Sequence, residues 1–159
     1  MTLLRSPVFV EIQGGYLAAV DLFFDVCLQL LLGYKKRGFG MNKWNGFGGK
    51  VEPNEKIIEA AVRELKEECC ISVKTSNLKN VAHIEFTFEG DPVMMDVRVF
   101  TTNIFEGTPI ETEEMRPKWF NIENIPYNNM WPDDLIWYPL MLKGGCLTWW
   151  LIYGHLQTV

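Results

Sequence analysis

Apolar positions recur along the chain in patterns that predict both strands and helices. Residues 8–12 and 27–32 are short apolar runs bounded by turn residues, which favours strands. Residues 84–88 alternate apolar and polar side chains, with the apolar ones at even positions, so they predict a third strand. A turn at residues 90–92 would then allow residues 97–101 to pair back as a fourth strand.

The segment between the second and third of these strands combines a loop and a helix. Residues 38–49 contain five glycines, which predicts a shaped loop rather than a regular element. Pro53 and Asn54 are then expected to open a helix, with Asn54 as the N-cap and Glu55 in the first turn, running to about Cys69. More helix is expected after Pro132, so the whole pattern indicates a mixed α/β sandwich.

The predicted helix has an apolar sector and an acidic sector. At about 100° per residue, the apolar side chains expected to pack on the sheet are Ile57, Ile58, Ala61, Val62, Leu65 and Cys69. Glu64, Glu67 and Glu68 share the neighbouring sector, which is either a solvated face or a divalent-cation site built from oxygen ligands. The bare backbone of Gly48 and Gly49 favours the cation site, because it can approach a metal or phosphate closely.

Composition and charge restrict the size of the substrate. The chain has 159 residues, 48% of them hydrophobic, and no linker-like or repetitive tract, which predicts one domain over residues 1–159. Its formal net charge is -5, and the basic cluster at residues 35–37 is too short for a duplex footprint. We therefore expect a small polyphosphate bound through a divalent cation, and no polymeric nucleic acid.

Cysteine usage and hydropathy favour a cytoplasmic protein. A monomer is expected, although the oligomeric state does not follow from the sequence. The cysteines at positions 27, 69, 70 and 146 lack zinc spacing and are expected to be reduced and partly buried. Residues 16–32 are the most apolar stretch, but Asp21 and Asp25 would be costly in a membrane, so we expect protein core there and no membrane partner. A nuclear or mitochondrial location is left open.

Residues 49–71 carry a motif with fixed gaps: Gly49-x5-Glu55-x7-Arg63-Glu64-Leu65-x-Glu67-Glu68-x-Cys70-Ile71. This motif resembles the Nudix box of the Nudix hydrolase family, with eight of its nine specified positions met. Such a match is far more specific than a lone glycine motif. The departure is Cys70, where the family has a glycine that ends the helix. A cysteine in the left-handed conformation there would cost about 1 kcal/mol; the alternative is that the helix ends differently.

The resemblance implies an α/β/α sandwich with a mixed sheet, and magnesium-assisted hydrolysis of a nucleoside diphosphate linked to another group. Manganese is an alternative metal. By the same resemblance, the metal ligands and catalytic carboxylates are Glu64, Glu67 and Glu68, joined by the Gly48 carbonyl and Glu114. Arg63 would orient the glutamates; the alternative is that it forms only local ion pairs.

Further segments resemble the Nudix hydrolases that act on oxidised purine nucleoside triphosphates. These segments are residues 35–40, 44–50, 107–109, 114–117 and 130–134, and the resemblance covers roughly residues 30–142. It implies release of monophosphate and pyrophosphate, which would remove damaged bases such as 8-oxo-dGTP or 2-hydroxy-dATP from the nucleotide pool and so avoid DNA damage. The residues expected to bind the nucleotide are Lys35, Phe39, Asn45, Phe47, Gly48, Gly49, Lys50, Phe86, Phe88, Met95, Trp131, Pro132, Asp133 and Asp134.

Several of these residues also have a structural interpretation. Phe86, Phe88 and Met95 could be ordinary strand core, and Asn45 could be a turn residue before glycine. Trp119 and Trp137 are assigned to the core. Beside Trp131, the adjacent carboxylates at positions 133 and 134 cannot both ionise cheaply, so one of them could keep its proton and donate to a base edge.

Two groups of alternatives remain open. The Nudix box alone also suits hydrolases of dinucleoside polyphosphates, ADP-ribose or capped RNA, and a Nudix domain can be a non-catalytic binding module. Residues 11–26 and 144–159 depart from the resemblance, so whether they complete the base pocket does not follow from the sequence.

Overall fold

A computed structural model describes residues 8–13, 17–18, 29–88, 93–143 and 147–153. For residues 8–13, 17–18, 88 and 147–153 the backbone alone is described. The turn expected at residues 90–92, Cys27, Cys146 and most of the apolar stretch at residues 16–32 lie outside the described part.

The described strands are β1 (Val8–Gln13), β2 (Leu17–Ala18), β3 (Gln29–Lys35), β4 (Trp44–Asn45), β5 (Phe47–Lys50), β6 (Lys79–Phe88), β7 (Met94–Thr102), β8 (Met115–Asn121) and β9 (Leu147–Tyr153). The α-helices are α1 (Ile57–Cys69) and α2 (Asp134–Leu142). Short 3-10 turns lie at Thr75–Asn77, Ile122–Asn124 and Tyr127–Asn129. Among the described residues, no helix is long and apolar enough to cross a membrane.

The strands form one mixed sheet. Its main order is β4-β3-β1-β7-β6-β9, while β5 also pairs with β1, β8 with β3, and β2 with β7. The pairs β1–β3, β1–β5 and β6–β9 are parallel, whereas β1–β7, β3–β8 and β6–β7 are antiparallel. Because β1 lies at the centre, it brings β5 and the start of α1 beside β3.

Helices cover both faces of this sheet. Leu31 and Phe47 pack with Leu65 in the core under α1, whereas Leu30 packs with Trp137 in the core under α2. Successive side chains of β3 thus point to opposite cores, as expected of a strand buried on both faces. The layers are helix, sheet and helix, so the predicted α/β/α sandwich with a mixed sheet is confirmed.

The predicted strands are present, with longer bounds. The alternation at residues 84–88 belongs to β6, and residues 97–101 belong to β7, which pairs with β6 in antiparallel register. The expected helix after Pro132 is α2. Trp137 is fully in the core, whereas Trp119 is only partly buried against the core under α1.

The predicted start of α1 was wrong. The helix begins at Ile57 with Lys56 as N-cap, and the Lys56 N–H donates to the Glu59 carboxylate at 3.2 Å. Asn54 has a φ of 68° and lies in a turn closed by a hydrogen bond from Glu55 N to Glu52 O. Asparagine tolerates the left-handed region, so its preference for turns prevails here over its preference for helix caps.

The end of α1 shows the strain expected from its sequence. Cys70 has a φ of 64°, in the left-handed region, and its N–H donates to Lys66 O at 3.2 Å. The helix thus ends with a residue in the left-handed conformation, which is normally a glycine, but here the residue carries a side chain. Cys69 and Cys70 are free thiols, the first buried and the second half-buried.

Replacing Cys70 by glycine should relieve this strain. We expect Cys70→Gly to raise the free energy of unfolding by about 1 kcal/mol, because glycine adopts a positive φ without steric cost. Urea denaturation at neutral pH measures the change. Cys70→Ala is the matched control: it removes the thiol but keeps the Cβ, so an equal gain from this variant would contradict the explanation.

Candidate active site

The acidic sector of α1 is turned towards the sheet. Glu64 and Glu68 are 9% and 2% exposed, whereas the side chain of Glu67 is 58% exposed. Residues four apart share a helix face, so the packing of α1 against β5 and β1 buries the first two carboxylates together. A solvated acidic face therefore describes only Glu67.

Glu68 is the most buried of these carboxylates and accepts two strong hydrogen bonds. Lys35 Nζ donates to Oε1 at 2.7 Å, and the backbone N–H of Gly48 donates to Oε2 at 2.7 Å. Burial raises the pKa of Glu68 to about 7, because desolvation outweighs the attraction of the Lys35 ammonium.

Lys35 joins Glu68 to a second carboxylate. Its Nζ also donates to Glu114 Oε1 at 2.7 Å, and Arg37 donates to the other oxygen of Glu114 at 3.2 Å. Burial lowers the pKa of Lys35, but the two carboxylates outweigh burial and raise it overall. For Glu114, burial raises the pKa, but Lys35 and Arg37 outweigh it, so the pKa lies below its usual range.

Arg63 organises the other end of the acidic sector. It donates to both oxygens of Glu55 at 2.9 and 3.0 Å, to Glu64 at 2.7 Å and to Glu67 at 3.1 Å. It also donates to Lys50 O at 3.0 Å, which ties α1 to the end of β5. The hydrogen bonds to Glu55 are the main reason why the pKa of Arg63 is raised.

Lys35 and Arg63 each bind a different pair of carboxylates. Lys35 holds Glu68 and Glu114, and Arg63 holds Glu64 and Glu67. In the described part of the chain, no three His, Cys, Asp or Glu side chains form a ready-made metal cluster. Burial raises the pKa of Glu64 and outweighs the attraction of Arg63.

Gly49 allows the close approach between β5 and Glu64. A Cβ placed on Gly49 would lie 2.5 Å from Glu64 Oε1 and 2.8 Å from its Cδ. Any larger residue would push this carboxylate away, so the glycine sets the position of Glu64.

A cavity of about 380 Å³ lies above these groups. The predicted site residues that line it are Lys35, Phe39, Asn45, Gly48, Gly49, Lys50, Glu64, Glu67, Glu114 and Trp131. Its carboxylate end is formed by α1 and the residue before β8, and its aromatic end by the glycine loop and the residues before α2.

The aromatic end contains a stacked pair of rings. Phe39 and Trp131 have centroids 5.1 Å apart at an interplanar angle of 24°, and Lys43 Nζ lies 5.2 Å from the Trp131 ring. A Cβ on Gly40 would lie 3.3 Å from Asn45 Nδ2 and 3.4 Å from Trp131, so the amide and the indole lie close together. Asn45 is buried in β4, and its Oδ1 has no hydrogen-bond partner among the described residues.

Asp133 and Asp134 are buried at the start of α2, next to Trp131, but do not line the cavity. Asp134 Oδ2 accepts from the Trp131 N–H at 3.0 Å, and Asp133 Oδ2 accepts from Trp137 Nε1 at 3.1 Å. Asp133 Oδ1 is buried without a hydrogen-bond partner in the described part of the protein. Burial raises the pKa of Asp133 to about 6.

Besides Asp133 and Asp134, six predicted residues are not part of the cavity lining. Two of them, Glu68 and Arg63, form hydrogen bonds with lining residues. Phe47 is fully buried under α1, Phe86 and Met95 pack against the core under α2, and Pro132 is exposed. The side chain of Phe88 lies outside the described part. Phe86 and Met95 therefore lie in the strand core, which is the structural interpretation given above.

Sequence reasoning missed two lining residues, Gly46 and Met115. Met115 begins β8, and a Cβ on Gly33 would lie 2.9 Å from its Cε. Met115 belongs to residues 114–117, one of the segments that carry the resemblance. The direction of its side chain, however, depends on the pairing of β8 with β3, which no local pattern reveals.

A family model described as the NUDIX domain matches residues 19–141, which is most of the chain. The chain belongs to the Nudix family. The Nudix box then corresponds to the end of β5, the turn after it, and α1 through Ile71.

Named relatives within the family are similar over most of their length. The chain is 53% identical over 115 residues to the oxidized purine nucleoside triphosphate hydrolase of Mus musculus, covering 72% of each protein. It is 50% identical over 128 residues to the protein of the same name from Danio rerio, covering 80% of this chain and 81% of the relative.

Solved Nudix structures share the fold at lower identity. The mutator MutT protein from Bacillus halodurans superposes with a TM-score of 0.71 at 23% identity, covering 93% of this chain and 95% of that one. The MutT NUDIX hydrolase from Burkholderia pseudomallei gives a TM-score of 0.60 at 23% identity, covering 73% and 86%.

The contact between Gly49 and Glu64 can be tested directly. We expect Gly49→Ala to slow nucleotide hydrolysis by about 100-fold, because the added methyl would displace the Glu64 carboxylate of the candidate active site. Thermal unfolding should show that the variant still folds. Steady-state rates with a nucleoside triphosphate measure the effect.

A double-mutant cycle with Glu64→Gln controls this experiment. If the methyl acts through Glu64, Gly49→Ala should cause little further loss in the Glu64→Gln background. Fully additive losses would mean that Gly49 has a separate role.

Proposed function

We propose that this Nudix protein hydrolyses oxidised purine nucleoside triphosphates to the monophosphate and pyrophosphate, and so removes damaged bases from the nucleotide pool. The observation that carries the proposal is that one cavity is lined both by carboxylates and by a stacked aromatic pair. A polyphosphate and a purine base of one molecule can therefore bind together. The names of the mouse and zebrafish relatives support the same substrate class.

The carboxylate end fits a divalent cation, which we propose to be Mg²⁺, with Mn²⁺ as an alternative. Glu64, Glu67, Glu68 and Glu114 offer the hard oxygen donors that Mg²⁺ prefers, and Gly48, the proposed carbonyl ligand, donates its N–H to Glu68 and lines the same cavity. Burial raises the pKa of Glu68, so a bound cation would offset the cost of keeping this carboxylate ionised. When bound, the cation would neutralise developing phosphate charge and lower the pKa of a water ligand.

The surrounding residues would orient the phosphates and the attacking water. Lys35, Lys50 and the backbone at Gly49 line the cavity beside the carboxylates and are suited to hold the polyphosphate. Arg63 keeps Glu64 and Glu67 in position, and the carboxylates would accept a proton from the water. The water would attack phosphorus and break the P–O–P anhydride linkage between the α and β phosphorus atoms, which releases the monophosphate and pyrophosphate.

The aromatic end is suited to a purine. Trp131 and Phe39 stack on each other, and Phe39 is 56% exposed, so a purine would stack on the outer face of this pair. Asn45 Oδ1 is a buried acceptor without a described partner, and a buried polar atom is costly unless a ligand satisfies it. Asp133 lies next to Trp131 outside the cavity lining, and burial raises its pKa to about 6, so a base edge that reached its Oδ1 as acceptor would favour the protonated, donating form.

The proposed substrate also bears on the domain organisation, location and partners of the protein. We propose a single domain that acts as a monomer in the cytoplasm on a small nucleotide, without a polymeric nucleic acid or membrane partner. Among the rival substrates, a dinucleoside polyphosphate would require room for a second nucleoside, whereas the aromatic end provides one stacked pair.

Comparison of oxidised and normal nucleotides tests the proposed function. We expect kcat/KM for 8-oxo-dGTP to exceed that for dGTP by at least about tenfold with Mg²⁺ present, because a site built to hydrogen-bond an altered edge discriminates strongly. Chromatographic detection of monophosphate and pyrophosphate measures the rates.

Two further results decide between this function and its rivals. Glu67→Gln should abolish most turnover while leaving the base end intact. Equal rates for both nucleotides would assign the hydrolase another substrate, and binding of 8-oxo-dGTP without any turnover would indicate a non-catalytic module.

The raised pKa of Asp133 predicts a specific pH dependence of stability. The folded protein holds this proton more tightly than the unfolded chain, so rising pH between about 4 and 6 should destabilise wild type relative to Asp133→Asn. The difference should reach about 3 kcal/mol and stay constant at higher pH. Urea unfolding at several pH values measures it.

Glu123→Gln is the control for this series, because Glu123 is an exposed carboxylate near the same helix. Its unfolding free energy should follow wild type throughout. A constant difference between wild type and Asp133→Asn from pH 4 to 7 would contradict the protonation of Asp133.

A further inference from the structure

Lys35 makes the same two contacts that a divalent cation would need. Its Nζ lies 2.7 Å from Glu68 Oε1 and 2.7 Å from Glu114 Oε1, and its side chain is only 12% exposed. The other oxygen of Glu68 is engaged by the Gly48 N–H. Oε1 is therefore the Glu68 atom at which the ammonium and a cation would meet.

We propose that Lys35 sets the cation affinity of the site by competing with the divalent ion for Glu68 and Glu114. Binding of the ion displaces the ammonium from both carboxylates. The inference rests on the cation site of the proposed function, and adds to it a role for Lys35 that is separate from holding phosphate.

Electrostatic repulsion makes the competition strong. An ammonium and a divalent ion that share one carboxylate oxygen would be separated by only a few ångströms, in a place largely shielded from water. Because burial reduces screening, the two cations cannot both keep full contact with Glu68. One of them has to move.

Lys35 is the cation suited to move. Its ammonium is carried on a flexible four-carbon stem, and the cavity that it lines gives the stem space. Arg63, by contrast, is fixed by two hydrogen bonds to Glu55 and one to Lys50 O. Arg37 reaches Glu114 but has no described contact with Glu68.

Metal binding to lysine variants tests the competition without relying on turnover. We would measure Mn²⁺ affinity by electron paramagnetic resonance for wild type, Lys35→Met and Lys35→Arg, after verifying folding by thermal unfolding. Lys35→Met should bind Mn²⁺ at least about tenfold more tightly, whereas Lys35→Arg, which keeps the charge, should stay nearer to wild type.

Lys36→Met is the matched control. Lys36 carries the same charge one residue away, but it is exposed and pairs with Glu111 at 2.9 Å. Its loss should change Mn²⁺ affinity by less than about twofold, because exposed charges are well screened.

The outcomes separate this inference from the proposed function. Equal or weaker Mn²⁺ binding by Lys35→Met, with clear binding by wild type, would overturn the role of Lys35 and leave the cation site standing. Absence of Mn²⁺ binding by both proteins would overturn the cation site and the competition together. Binding by the variant alone would support the competition.

Chemical labelling of the wild-type protein gives a second test that does not depend on a variant folding. Reductive methylation of the Lys35 amine, followed by mass spectrometry, should be several-fold faster with saturating Mg²⁺ than with chelator, because the ammonium is released from its carboxylates. Lys36 serves as the internal reference. Unchanged or slower labelling of Lys35 would contradict displacement.

Discussion

The buried carboxylate of Glu68 is the group around which the site and its supporting elements are arranged. A carboxylate that is 2% exposed requires charged or hydrogen-bonded partners, because its desolvation is otherwise costly. Here the partners come from β3 and from the backbone of β5, and through Lys35 the link extends to the residue before β8. The position of α1 on the sheet and the chemistry of the cavity therefore depend on the same contacts.

The second set of contacts, around Arg63, has a complementary effect. By binding Glu55, Glu64 and Lys50 O, the guanidinium fastens the turn before α1, the helix itself and the end of β5. Planar bidentate contacts of this kind fix direction as well as charge. One end of the acidic sector is thus held by a planar guanidinium, while at the other end the flexible Lys35 ammonium is the cation that joins Glu68 to Glu114.

Local sequence patterns predicted the helices and strands whose apolar residues follow a clear period. They did not predict structure that depends on pairing between strands distant in the sequence. The alternation at residues 84–88 identified β6, and the box spacing identified the carboxylates that α1 brings to the cavity. β5 was read as loop, because Phe47-Gly-Gly-Lys50 has little strand propensity and is held by pairing with β1. Asn54 could serve equally as cap or turn, and Met115 reaches the cavity only through the β3–β8 pairing.

The two ends of the cavity come from different parts of the architecture. The carboxylates belong to α1 on one face of the sheet, whereas Trp131 and the buried aspartates precede or begin α2 on the other face. Under the proposed function, substitutions around α2 would alter which base is accepted while leaving the carboxylates of α1 in place. In evolution, such an arrangement would let the substrate change through successive substitutions near α2, while each intermediate sequence keeps its catalytic activity.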